Sequence, residues 1–234
     1  MKDIFDEIVG VSNLFVAWQE FRRGKRDRMD VMEFERHLED NVFSLHEELA
    51  GGIYRHGPYH RFHVFDPKHR IIHKATVRDR LVHHAVYRVL LPIFERSFIF
   101  DSYSCREGKG THAAVRRLEV FARKVSKNFT GPCWALKFDI KKFFDSVDHG
   151  ILLGILERQL SKDPSTSLGM TRVMQLLQEI VGSYHNPFAD RGGVASRSPD
   201  REPDQPIICQ RLHGCIRPLR QRGFATTILH SLHR

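Results

Sequence analysis

Cysteine is scarce in this 234-residue chain, and Cys105, Cys133, Cys209 and Cys215 share no paired spacing. That excludes a disulfide-framed scaffold. Cys209, His213 and Cys215 fit no common zinc pattern. There is no apolar run of membrane-spanning length and no signal peptide, so a reduced, cytoplasmic protein without a membrane partner is expected. Internal repeats are also lacking. Lysine is missing from residues 191–234, where eight arginines face three acidic residues. This stretch supplies +5 of the formal net charge of +9. The rest is only mildly basic, so charge alone argues weakly for a polyanionic partner.

What is present is periodicity. At 41% hydrophobic, the chain can bury one substantial core, or a core with a lobe. Residues 12–23 predict an amphipathic helix followed by the basic turn Gly24-Lys25-Arg26. Val31, Phe34, Leu38, Val42, Leu45 and Leu49 recur at three- and four-residue steps and predict one helix over 30–49, ended by Gly51-Gly52. Residues 59–74 alternate around a turn at Asp66-Pro67-Lys68-His69, which predicts a hairpin carrying Lys68, Arg70 and Lys74. Such cations can grip a triphosphate. They equally suit a solvated hairpin edge, and pattern alone leaves both open.

A helix over 76–96 follows, with Leu81, Ala85, Val89 and Phe94 inward. Neighbouring His83 and His84 point about 100° apart and read as packing or surface residues rather than shared ligands. Gly108-Lys109-Gly110 forms a turn, and Thr111 is expected to cap a helix bearing Arg116, Arg117, Arg123 and Lys124. Helices over 151–160 and 172–183 flank a polar loop at 161–171.

The organising stretch is CWALKFDIKKFFDSVDH, residues 133–149. Trp134, Leu136, Phe138 and Ile140 alternate with Ala135, Lys137 and Asp139, which predicts a strand with one buried face. Asp139 ends that strand beside Phe143 and Phe144. A carboxylate there can hold magnesium for phosphoryl transfer or cap the next helix, and spacing does not separate the two.

FDIKKFFDSVDH resembles the first catalytic motif of bacterial reverse transcriptases, the kind found in retroelements, diversity-generating retroelements and group II introns. The resemblance extends upstream. W-x-x-F-R-x-G-K-R, beginning at Trp18, precedes the fingers in that family. DPKHRIIHKATVRDRLVHHA, beginning at Asp66, is similar to the fingers segment, and SYSCREGKGTH, beginning at Ser102, to a segment under the template–primer. It implies a metal-binding, catalytic Asp139, with Phe144 screening the sugar of the incoming nucleotide. By the same resemblance Arg70 holds its phosphates with Lys68 and Lys74, and Arg106 and Lys109 touch nucleic acid. Two magnesium ions would activate the primer 3′-oxygen and stabilise departing pyrophosphate. RNA template, DNA primer and deoxynucleoside triphosphates are the implied partners, with room for an accessory protein.

The family's next motifs, near G-[LI]-P-[LI]-G-N-x-T-S-Q-L-F-A-N and then Tyr-x-Asp-Asp, are missing. Their place holds an aperiodic, arginine-rich stretch. Reading the last two bases of each codon with the first of the next, codon choices exist that turn Arg197–Gln210 into GLPIGNLTSQLFAN. Glu202 before Pro203 then gives only Asn or Ser, and Cys209 before Gln210 only Ala or Val. In the same register the codons from His230 to Arg234, with a TGA stop and a pyrimidine, yield I-R-Y-T-D-D. The reading is a frame change between about residues 185 and 197. A genome lesion, a sequence error and programmed frameshifting would look alike.

The expected fold is α+β: right-hand polymerase fingers and the first half of the palm, with a disordered or non-native C-terminal tail. The expected regions are 1–58 helical, 59–130 fingers, 131–185 partial palm and 186–234 an out-of-frame tail. Lacking the Asp pair, the chain is expected to be inactive as written. The competing reading is a non-catalytic basic fragment that binds nucleic acid or a protein.

Overall fold

The computed structural model describes residues 3–65, 69–104, 106–137, 147–184 and 202–203. The chain divides into two compact units, one of residues 1–94 and 142–210, the other of 95–141 and 211–234.

The first unit opens with helix α1 (Ile4–Val9), capped by Asp3, whose side chain accepts from the Phe5 amide at 2.8 Å. Helix α2 (Val11–Phe21) turns Leu14, Ala17, Trp18 and Phe21 into the core, each at most 1% exposed. The single helix expected over 30–49 is two, α3 (Met29–Arg36) and α4 (Leu38–Ala50), separated at His37 with φ −122° and ψ 40°. The Asn41 side chain donates to the Phe34 carbonyl at 3.0 Å and satisfies an acceptor at the break. Apolar residues continue at three- and four-residue steps through the break, so periodicity could not show it.

Strands β1 (His60–Val64) and β2 (Arg70–Lys74) form the expected hairpin, antiparallel with Phe62 opposite Ile72 and Val64 opposite Arg70. A two-residue strand β3 (Glu202–Pro203) runs parallel beside Arg70 and Ile71. The remainder of the tail lies outside the described residues. Helix α5 (Val77–Glu95) buries Leu81, Ala85 and Phe94 as expected, with Leu90 buried where Val89 was expected and Val89 only partly covered, and it buries both His83 and His84.

In the second unit, helix α6 (Thr111–Val125) begins one residue earlier than a Thr111 cap requires. Its N-cap is Gly110, with no side-chain cap. Gly110 has φ 121° and ψ −179°, a backbone region essentially reserved for glycine, so the turn fixes the helix start and Thr111 becomes its first residue. Residues 132–137 form no strand, and Trp134 and Leu136 are 88% and 76% exposed. The strand expected from Trp134 needs a neighbour to hydrogen-bond and cover its apolar face, and this unit holds no other strand among the described residues.

Back in the first unit, α7 (His149–Leu160) is capped by Asp148, which accepts from the Ile151 amide at 2.9 Å. The loop expected at 161–171 contains a short 3-10 turn (Pro164–Thr166) and gives way to α8 (Met170–Gly182). Leu152, Leu156 and Leu160 of α7 and Val173, Leu177 and Ile180 of α8 are buried, and the two helices pack together. Arg172 ties α8 to α1 through Asp3 at 2.6 Å and Asp6 at 3.2 Å. The architecture is mostly helical with one small sheet, compatible with α+β.

Candidate functional site

The base of the hairpin is built on charge. Asp30, in the first turn of α3, accepts from Lys74 of β2 at 2.7 Å and from Arg80 of α5 at 2.6 Å, through the same oxygen. Arg80 is 2% exposed, lies over the Phe21 ring at 4.9 Å and donates to the Thr76 carbonyl. Burial alone would raise the Asp30 carboxyl pKa, but the Lys74 and Arg80 cations outweigh it and hold the group below its usual range. Lys74, expected to grip phosphate, therefore already has a carboxylate partner that a phosphate would have to displace.

One turn away, Thr76 and Asp79 form a reciprocal cap at the start of α5. The Asp79 amide donates to Thr76 Oγ1 at 3.2 Å, and that hydroxyl donates to Asp79 Oδ2 at 2.6 Å. The fully buried carboxylate also accepts from the Tyr54 hydroxyl at 2.8 Å, the Gly57 amide at 3.1 Å and Arg78 at 3.2 Å. Burial and this anion push the Tyr54 phenol far above its usual value. Arg78 also pairs with Glu48 and lies over the Tyr54 ring.

Beside this hub, His56 stacks on Tyr59 and meets His83 edge to edge, Nε2 to Nε2 at 3.1 Å. His56 Nδ1 faces the Gly57 carbonyl at 2.7 Å, so it carries the proton there. His56 Nε2 is then the acceptor, His83 Nε2 donates, and His83 Nδ1 is a buried lone pair without a partner. Burial holds the His83 imidazole well below its ordinary pKa. His56 and Tyr59 also line an open cleft of about 410 Å³ with Gln178, Glu179 and Ser183. Its polar groups are engaged internally: Glu179 accepts from the His56 amide at 2.9 Å and Tyr59 meets Ser183 at 3.1 Å.

In the second unit, Arg106 donates to Glu95 at 2.6 Å and to the carbonyls of Ile99 and Ser102, both at 3.0 Å, and lies over Phe98. Its side chain is only 10% exposed, so its hydrogen bonds order the 95–106 segment. Lys109 donates to the Phe100 carbonyl and lies 3.7 Å over the Phe100 ring. Arg117 pairs with Asp101 at 2.9 Å.

Of the residues singled out from sequence, Asp139, Phe144 and Lys68 lie outside the described residues. Arg70 is described by its backbone, opposite Val64. The structure brings Lys74 together with Asp30 and Arg80, and places Arg106 and Lys109 in the other unit. Sequence reasoning missed the roles of Asp30, Tyr54, His56 and Asp79. The Thr76-x-x-Asp79 spacing at a helix start was the one available signal. Among the described residues no group of three His, Cys, Asp or Glu side chains could hold a metal ion. No described helix is long and apolar enough to cross a membrane.

No family model matches the chain. Curated relatives do. Protein YkfC of Escherichia coli K12 is 27% identical over 143 residues, 60% of this chain and 35% of that protein. The group II intron-encoded protein LtrA of Lactococcus lactis is 25% identical over 163 residues, 68% of this chain and 26% of LtrA. Nuclear intron maturase 1 of Arabidopsis thaliana is 30% identical over 81 residues, 35% and 10% of the two chains. The chain is a homologue of group II intron-encoded proteins and intron maturases. The reverse transcriptase resemblance read from FDIKKFFDSVDH is borne out at that level. This homologue spans about a third of YkfC and a quarter of LtrA.

Proposed function

We propose that the chain is the fingers and first half of the palm of an RNA-directed DNA polymerase. In this reading Asp139 is the metal-binding acid, Phe144 screens the sugar, and Lys68, Arg70 and Lys74 meet the triphosphate. Arg106 and Lys109 lie near template–primer. The observation that carries the reading is kinship to an intron-encoded protein over 68% of the chain, joined to the motif around Asp139. One carboxylate cannot assemble a two-metal site, so the chain as written is inactive and no catalytic step is assigned to it.

The test is primer extension on an RNA template with magnesium and deoxynucleotides. No product above an Asp139→Ala control is expected, and extension above that control overturns the inactivity. The bases beyond the Arg234 codon should spell an acidic doublet in a shifted register. If neither alternative register does, the frame-change reading fails.

A second reading is a non-catalytic basic fragment that binds nucleic acid or a protein; the pairing of Lys74 with Asp30 and of Arg106 with Glu95 weighs against a triphosphate-gripping role for these two cations. RNA binding that weakens with rising salt and survives Asp139→Ala, without synthesis, would support it.

A further inference from the structure

The tip of the β1–β2 hairpin holds a pair of histidines that the polymerase reading does not use. Val64 and Arg70 are the last paired residues, so one further step sets Phe65 opposite His69. Opposed residues, and alternate residues along a strand, share a face, which puts His63, Phe65 and His69 together. His63 Nδ1 lies 2.7 Å from His69 Nε2 in an exposed contact. The two rings are 6° from parallel with centroids 5.0 Å apart. With nitrogens only 2.7 Å apart, that centroid separation sets the rings edge to edge, nitrogen facing nitrogen. Phe65 lies nearly parallel to both, 4.7 Å from His69 and 6.3 Å from His63.

Two imidazole nitrogens facing one another leave room for one electrophile. Two N–H groups would collide and two bare lone pairs would repel, so a neutral pair shares a single proton. A metal cation can take the proton's place. Imidazole–metal bonds of about 2.0–2.1 Å at a tetrahedral angle put the nitrogens roughly 3.3 Å apart. The pair needs to open by about 0.6 Å, and each ring to swing by roughly 35° so that the two lone pairs converge on the ion, a side-chain adjustment open to an exposed site. Imidazole donors select zinc, copper and nickel, whereas magnesium and calcium want oxygen.

We propose that His63 and His69 form a chelating site for a late first-row divalent cation, with water completing its coordination shell. The bound ion would clip the two arms of the hairpin together beside the turn. The inference stands on hairpin geometry alone and does not depend on the polymerase reading.

The test is calorimetric titration of the full 234-residue chain with nickel and with zinc at neutral pH, in wild type and in the His63→Ala, His69→Ala and His112→Ala variants. His112, exposed on α6, is the control for the chain's other histidines. One saturable equivalent is expected in wild type and in His112→Ala. Because the second ligand binds at high effective concentration, either hairpin variant should weaken it by about a hundredfold. Far-UV circular dichroism identical to wild type shows that the variants fold, and His63→Gln and His69→Gln serve if an alanine variant does not. Excess magnesium should leave the nickel isotherm unchanged. Absence of saturable uptake, uptake unaffected in either hairpin variant, or displacement by magnesium overturns the site.

Discussion

Asp79 is fully buried, yet hydrogen bonds from Tyr54, Gly57, Thr76 and Arg78 converge on its two oxygens. A carboxylate in that position stabilises only while its donors stay matched, because each donor orphaned in the interior carries its own desolvation cost. Asp79→Ala leaves the Tyr54 hydroxyl and the Gly57 amide without their partner and should cost about 2–4 kcal/mol in urea unfolding. Tyr54→Phe removes one bond to a carboxylate that keeps its others, and should cost about 1 kcal/mol. Equal losses in the two variants would show that Asp79 is not the centre of this network. Asp79 was visible in sequence only as an acid near a helix start. Four of its contacts come from residues 54 to 78, and no local pattern announces that they converge.

At the scale of the element, helix ends decide more than helix faces. Gly169 starts α8 at φ +80°, and a Cβ there would stand 1.8 Å from Asp3 Oδ1. Gly154, inside α7, has nothing within 4 Å of the same construction. The same substitution should therefore act with opposite sign. Gly169→Ala should lose about 1–3 kcal/mol through strain and collision with the α1 cap. Gly154→Ala should gain about 0.5–1 kcal/mol from helix propensity and reduced freedom of the unfolded chain. Thermal unfolding of both variants checks this, and a stabilised Gly169→Ala would mean that α1 and α8 do not meet as described. Element positions were largely legible. The hairpin and α2, α5, α7 and α8 fall where apolar spacing puts them, because period two and period 3.6 are imposed by backbone geometry. The break at His37 and the glycine start of α6 were not, since a continuous apolar stripe and a Gly-Thr pair fit more than one set of backbone angles.

At the scale of the whole molecule, the buried His83 makes stability depend on pH. Burial holds the His83 imidazole well below the ordinary imidazole value of about 6.5, so the unfolded chain binds a proton that the folded chain refuses. Between the depressed folded value and 6.5 the unfolded state carries more protons, so stability rises with pH across that window and levels off above it. Lowering the pH below 6.5 should cost up to about 1.4 kcal/mol per pH unit for this one group. Urea unfolding at a series of pH values, in wild type and in His83→Leu, measures it. The variant's profile should be flatter below 6.5, and an unchanged slope would remove His83 as the cause.

The sequence by itself determined the kinship, through the string around Asp139, and most helix and strand positions, through spacing. Both are local properties of the chain. Only the tertiary structure decided the state of the charged residues that the kinship singles out. Lys74 is held by Asp30, 44 positions away, and Arg106 by Glu95 and nearby carbonyls. It also left Trp134 and Leu136 uncovered where alternation alone predicted a buried face. An ion pair or a covered strand face needs a partner brought close in space, and the spacing of residues along the chain does not specify which partner arrives.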